Sequence, residues 1–124
     1  PVSWKKALRA LDWTGGTVER VSEQEIADAK AIIGRDGIGC EPASAATLAG
    51  IKKLVASGRI DSSSDVVAVL TGNLMKDSSY TINYHTDTLA LEEAGARREI
   101  RGTFANRSVR VAADKREISR FLKL

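Results

Sequence analysis

The chain has 124 residues, 43% hydrophobic and 28% charged, with a net charge of +3. That length allows one domain or part of one, burying roughly two-thirds of its unfolded surface, with the composition of an ordinary soluble globular protein. No apolar run approaches the ~20 residues that span a bilayer, the start Pro1-Val2-Ser3-Trp4-Lys5-Lys6 has no signal-peptide layout, and a single cysteine, Cys40, with a single histidine, His85, excludes an intrachain disulfide and is too little for a structural zinc site.

In chain order, Ser3 is a candidate N-cap, and Trp4, Ala7, Leu8 and Leu11 follow at helical spacing. The expectation is a helix over residues 4–13, ended by Gly15-Gly16. Residues 17–21 alternate and suit a short strand. Ser22-Glu23-Gln24-Glu25 is a capping box. Ile26, Ala29, Ile32 and Ile33 then mark the apolar face of a second helix, residues 23–33. Pro42 fits the first position of a third helix, where its missing N–H is not needed. Ala45, Leu48, Ile51, Leu54 and Val55 make its buried stripe, and Gly58 ends it.

Asp61-Ser62-Ser63-Ser64 reads as a turn. Residues 66–70 form a continuous apolar run of strand length, the pattern of a strand covered on both faces of a parallel sheet. Residues 80–84 alternate like a half-exposed strand, and residues 89–94 are weakly helical. Residues 98–104 and 109–111 read as strands. Asp114-Lys115-Arg116-Glu117 is a second capping box, and Ile118, Phe121 and Leu122 give a last helix its apolar side.

Helix–turn–strand alternation places the chain in the α/β class. One strongly buried strand cannot build a full doubly wound sheet, so the expectation is a partial three-layer open sheet with flanking helices. Residues 66–70 then need neighbours from elsewhere, or leave an exposed edge that a second copy could cover as a homodimer. Residues 1–78 read as the main helix/strand segment and 79–124 as a C-terminal extension.

Charge is uneven. Residues 1–95 carry 10 basic and 13 acidic side chains, while residues 96–124 carry 9 basic and 3 acidic. A basic tail can serve nucleic acid. Here the arginines alternate with apolar residues rather than forming a block, and aromatic content is only 5%, which leaves little stacking surface. A solvated or docking face is the better reading, with no nucleic-acid or membrane partner. One cysteine fits a reducing, cytoplasmic setting.

Candidate chemistry gathers between residues 37 and 77. Thr71 lies just past the carboxyl end of the apolar run, where open α/β sheets bind ligands. Its hydroxyl can donate or accept a hydrogen bond, or merely satisfy a strand end. Gly72 lets the backbone come close to something flat. Glu41 stands at the N-cap of the third helix, where a carboxylate suits the helix dipole but caps poorly. Its side chain either simply complements the dipole there or points at another group. Cys40 reads as a packing group, His85 as structural and Lys76 as a surface lysine. A Schiff-base role is conceivable for Lys76. No dinucleotide or Walker phosphate loop is present, there is no metal cluster, and no complete catalytic set exists.

Three stretches resemble the threonine synthase family of fold-type-II pyridoxal-phosphate (PLP) enzymes. They are Pro1-Val2-Ser3-Trp4-Lys5-Lys6-Ala7, Gly37-Ile38-Gly39-Cys40-Glu41-Pro42-Ala43-Ser44-Ala45-Ala46 and Val69-Leu70-Thr71-Gly72-Asn73-Leu74-Met75-Lys76-Asp77. The order and spacing are similar to the C-terminal third of that family, and the fold implied is the matching part of its large domain. The resemblance implies conversion of O-phosphohomoserine and water to threonine and phosphate, with PLP as cofactor. It implies that Thr71 bonds the pyridine nitrogen, that Glu41 lies near the ring edge and that Ser44 sits in the helix behind it. The Schiff-base lysine and phosphate loop of the family lie upstream of the matching region. The chain starts at Pro1 without a Met, so the expectation is a C-terminal segment. Alone it is expected to bind no PLP tightly and to be inactive, because one hydrogen bond of ~1 kcal/mol cannot retain a cofactor. The alternatives are a stand-alone binding or assembly module with this fold, or a basic nucleic-acid-binding domain. A reading frame with Met directly before Pro1 would remove the segment reading.

Overall fold

The computed structural model describes residues 2–93 and 95–124. Its elements are α1 (Trp4–Thr14), α2 (Glu23–Arg35), α3 (Pro42–Ala56), a 3-10 turn (Leu74–Asp77), α4 (Ser78–His85), β1 (Ala90–Glu93), β2 (Ala96–Glu99) and α5 (Lys115–Leu122). Pro1 and Ala94, which the sequence reading included in the first stretch and in residues 89–94, lie outside the described residues.

Local signals set the first three helices. Gly15 takes a left-handed φ of 61° and closes α1 onto the Leu11 carbonyl. Ser3 occupies the N-cap position of α1, but its hydroxyl makes no capping bond. At α2 the capping box is complete. The Ser22 N–H donates to Glu25 Oε2 at 2.7 Å, and the Glu25 N–H donates to Ser22 Oγ at 3.3 Å. Pro42 opens α3.

Helix α2 is the centre of the fold. Ala29 and Ile33 pack with Cys40, Ala45 and Ala49 on the α3 side, with Val21, Ile26, Leu48 and Leu70 around them. Ala27 and Ala31 pack with Tyr84, Leu89 and Ile100 on the other side. This two-sided burial explains why the buried set of α2 is broader than the single face expected. Alanine supplies it because a short side chain lets neighbours approach closely without strain.

The C-terminal segment is tied back onto α2. Gln24 Nε2 donates to the Arg101 carbonyl at 3.0 Å, and the Arg101 N–H donates to Gln24 Oε1 at 2.9 Å. The Tyr84 hydroxyl donates to Asp28 Oδ1 at 2.6 Å and accepts the Phe104 N–H at 3.0 Å. Arg107 pairs with Asp87.

Five strand expectations and one helix expectation change. Residues 17–21 are not a strand; they are held instead by the side chains of Lys53, in the last turn of α3, and Arg59, just beyond it. Lys53 Nζ donates to the Arg20 carbonyl at 2.6 Å, and Arg59 Nη1 donates to Thr17 Oγ1 at 2.8 Å. Residues 66–70 form no ladder among the described residues, and Val67 is 91% exposed. An apolar run states a need for cover, and no neighbouring strand supplies it here.

Residues 80–84 are helical, within α4. Tyr80 and Tyr84 share one face at period two and also at i,i+4, so the alternation was ambiguous. Ile82, which should share that face in a strand, is 60% exposed. Residues 90–93 are a strand rather than helix. They pair antiparallel with Ala96–Glu99, with Glu92 opposite Arg97 and Leu91 opposite Arg98, around Gly95 at φ 81°. Opposite charges across the pair support this register. The strand expected at 98–104 starts earlier and stops at Glu99, and residues 109–111 lie outside any strand.

The chain therefore has helices and strands, but the sheet among its described residues is this two-stranded antiparallel hairpin. At α5, Asp114 Oδ1 accepts the N–H groups of Arg116 and Glu117 at 2.9 and 3.1 Å, so the expected cap is present on the aspartate side.

Candidate functional site

The first turn of α3 and residues 71–72 meet through both backbone and side chains. The Glu41 N–H donates to the Gly72 carbonyl at 3.0 Å. Ser44, in the first turn of α3 and buried, turns its hydroxyl toward the same segment. Ser44 Oγ accepts the Thr71 N–H at 3.0 Å and the Gly72 N–H at 3.1 Å. It also lies 3.2 Å from Thr71 Oγ1. Residues 70–72 are thus fixed against α3 although they belong to no ladder. Thr71 itself remains solvent-exposed.

Glu41 caps nothing, as its poor capping chemistry foretold. Its carboxylate receives a 2.6 Å bond from Lys76 Nζ. The pair is asymmetric, since the Glu41 side chain is 14% exposed and that of Lys76 is 66% exposed. The carboxylate raises the lysine pKa, chiefly through the hydrogen bond and then through its charge. Lys76 is therefore held as an ammonium, the opposite of what an imine-forming amine needs. Gly72 has a steric reason to be glycine. A methyl group there would overlap Cγ, Cδ and Oε1 of Glu41.

The other candidates are structural. Cys40 is 1% exposed within the α2–α3 core, and burial pushes its thiol pKa up. His85 Nδ1 accepts the Asn106 N–H at 2.8 Å, and its ring lies edge-on to Tyr84. Burial and then Lys30 lower its pKa. Lys30 was not singled out from the sequence, where a lysine on an amphipathic helix reads as solvated. It is buried, donates to Thr81 Oγ1 at 2.8 Å, and has its pKa lowered by desolvation. Lys30, Tyr80 and His85 line a cavity of about 700 Å³ between α2, α4 and residues 104–106. The Tyr80 hydroxyl is buried there without a hydrogen-bond partner among the described residues, and its pKa is pushed up to about 12 by burial. Thr71, Gly72 and Glu41 are not in the walls of that cavity. They form an open wall at the N-terminus of α3. Among the described residues, no group of three or more His, Cys, Asp or Glu side chains could hold a metal ion. Among the same residues, no helix is long and apolar enough to cross a membrane.

Thr71 and Gly72, anchored on Ser44 and Glu41 at the N-terminus of α3, thus lie beside a carboxylate paired with a lysine. The chain belongs to the family of pyridoxal-phosphate dependent enzymes, which it matches over residues 2–72. That span contains Glu41, Ser44, Thr71 and Gly72.

The more specific relatives are threonine synthases. The chain is 46% identical over 84 residues to the threonine synthase of Methanosarcina acetivorans, covering 67% of this chain and 21% of the relative. It is 39% identical over 93 residues to that of Methanocaldococcus jannaschii, covering 74% and 23%. It is 42% identical over 78 residues to that of Halalkalibacterium halodurans, covering 62% and 22%. The chain thus spans about a fifth of the length of the curated relatives it matches.

The residues present fit the ring end of PLP. Thr71 offers an exposed neutral hydroxyl on an immobilised backbone, suited to a pyridine nitrogen. The Glu41–Lys76 pair offers a rim of no net charge. Neither supplies the imine or the phosphate cradle.

Proposed function

We propose that this chain is one wall of the cofactor site of a threonine synthase that converts O-phosphohomoserine and water to threonine and phosphate. Thr71 takes the pyridine nitrogen, Gly72 keeps the wall thin, and Glu41 lies along the ring edge. PLP, when bound, supplies an electron sink for carbanion chemistry. A threonine hydroxyl is neutral and does not hold the ring nitrogen protonated as an aspartate would, so Thr71 moderates that sink.

The observation that carries this reading is the double anchoring of residues 71–72 on Ser44, which fixes a hydroxyl at the N-terminus of α3. In the same reading, residues 66–70 become an inner strand of an open, three-layer sheet once the remaining four-fifths of such an enzyme supply its neighbours. This accounts for valines that lie exposed in the chain alone. Residues 79–124 form an extension on the main segment. The setting is cytoplasmic. A homodimer is the assembly in which such an edge or the basic tail would also be covered.

The Schiff-base lysine and the phosphate loop belong to the part of the relatives that this chain does not match. The 124 residues alone are therefore inactive. The test is to mix the chain with PLP and O-phosphohomoserine. The expected result is no phosphate release and no visible cofactor band that borohydride fixes. Either signal from the chain alone would refute the reading. In the assembled enzyme, Thr71→Val is expected to lower turnover and weaken PLP binding, and unchanged values of both would remove Thr71 from the site.

A further inference from the structure

Ser44 sits one step behind the wall, and its hydrogen-bond accounting has one solution. A serine hydroxyl has two acceptor lone pairs and one proton. Both lone pairs are engaged, by the N–H groups of Thr71 at 3.0 Å and Gly72 at 3.1 Å. Ser44 is 4% exposed, so water does not freely take its proton. Among the described residues, the one further polar contact it makes is Thr71 Oγ1 at 3.2 Å. Ser44 therefore donates and Thr71 Oγ1 accepts. The proton of Thr71 cannot point back to Ser44 and is turned outward, into the open wall.

We infer that Ser44 is a positioning residue that polarises Thr71 as a hydrogen-bond donor toward an unprotonated pyridine nitrogen. This rests on the proposed placement of Thr71 against the cofactor. Two backbone N–H groups act as the lock. They set the orientation of the Ser44 hydroxyl, and it sets that of Thr71. A serine is needed for this because the same atom must accept twice and donate once. Alanine would do none of these, and a carboxylate would accept without donating.

The test uses the PLP-loaded holoenzyme that contains these residues, with the cofactor labelled with nitrogen-15 in the ring. The ring-nitrogen chemical shift reports the hydrogen bond directly. Thr71→Val is expected to move it away from the wild-type value. Ser44→Ala is expected to move it in the same direction and to raise the PLP dissociation constant roughly fivefold, the effect of one neutral hydrogen bond. Added to Thr71→Val, Ser44→Ala should move the shift no further. If Ser44→Ala does not load cofactor, Ser44→Cys carries the same test, with a smaller movement in the same direction because a thiol is a weaker donor. A wild-type shift in the Ser44 variant, or an equal movement with and without the Thr71 hydroxyl, overturns the inference. A wild-type shift in Thr71→Val overturns the placement of Thr71 itself, and with it the role of Ser44.

Discussion

Tyr84 joins three separate parts of the chain, so removing its oxygen tests the packing described above. The side chain is 2% exposed between α2 and the C-terminal segment. Its hydroxyl donates to the Asp28 carboxylate at 2.6 Å and accepts from Phe104 N at 3.0 Å. Burial drives its pKa up most, the bond to Asp28 raises it further, and the Phe104 N–H pulls the other way. Tyr84→Phe keeps the ring and creates no large cavity. It removes one bond to a charged group, worth about 1.5–3 kcal/mol, and leaves a backbone N–H unpaired. Asp28 keeps its 2.9 Å bond from Gln24, and water can partly reach Phe104, so the low end applies. The expected loss is about 2 kcal/mol. In urea, with a slope near 1–1.5 kcal/mol per molar, the midpoint should fall by roughly 1–2 M with the slope unchanged. Far-ultraviolet circular dichroism is the better readout, because Trp4 and Trp13 are both exposed and report little of the core. Tyr84→Phe and Asp28→Asn should be strongly non-additive. A Tyr84→Phe variant within about 0.5 kcal/mol of the parent, the range of a neutral surface change, would refute this account.

Three further outcomes follow from the local geometry. Gly72→Ala places a methyl group against the Glu41 side chain. It should cost about 1–3 kcal/mol in denaturation and much less in a Glu41→Ala background, where the obstruction is gone; equal costs in both would show that Glu41 is not the obstacle. At the start of α2, Ser22→Ala should cost about 0.5–2 kcal/mol in the same assay, and a loss near zero would remove the capping box as a source of stability. The Glu25 pKa is lowered, mainly by the Ser22 N–H, so the carboxylate contributes stability above its unfolded pKa and loses it as pH falls through the folded one. That acid-side loss should be smaller in a Glu25→Gln variant, measured by thermal melting between neutral and strongly acidic pH.

The sequence by itself determined the elements whose signals are local. The Ser22 capping box, Pro42 at the head of α3 and Gly15 at the end of α1 all act within a few residues, and each lies where its chemistry placed it. Thr71, Gly72 and Glu41 were legible as candidates because strand ends and helix starts expose polar groups in a predictable way. Their meeting was not legible, and neither was the partner of Glu41, because Lys76 lies 35 residues away in the chain. Ser44 was placed in the helix behind Thr71 by the family resemblance alone. Its two backbone donors were not legible, since they depend on how residues 71–72 dock.

Only the tertiary structure decided the rest. Tyr80 and Tyr84 fit two periodicities, and α2 beneath them selected the helix. Lys30 is buried because α4 covers it, which no pattern on α2 itself records. The run at 66–70 shows the opposite case. Its sequence specifies a covered strand, but cover is a property of neighbours, and a strand gains its ladder only from residues that are there to pair with it.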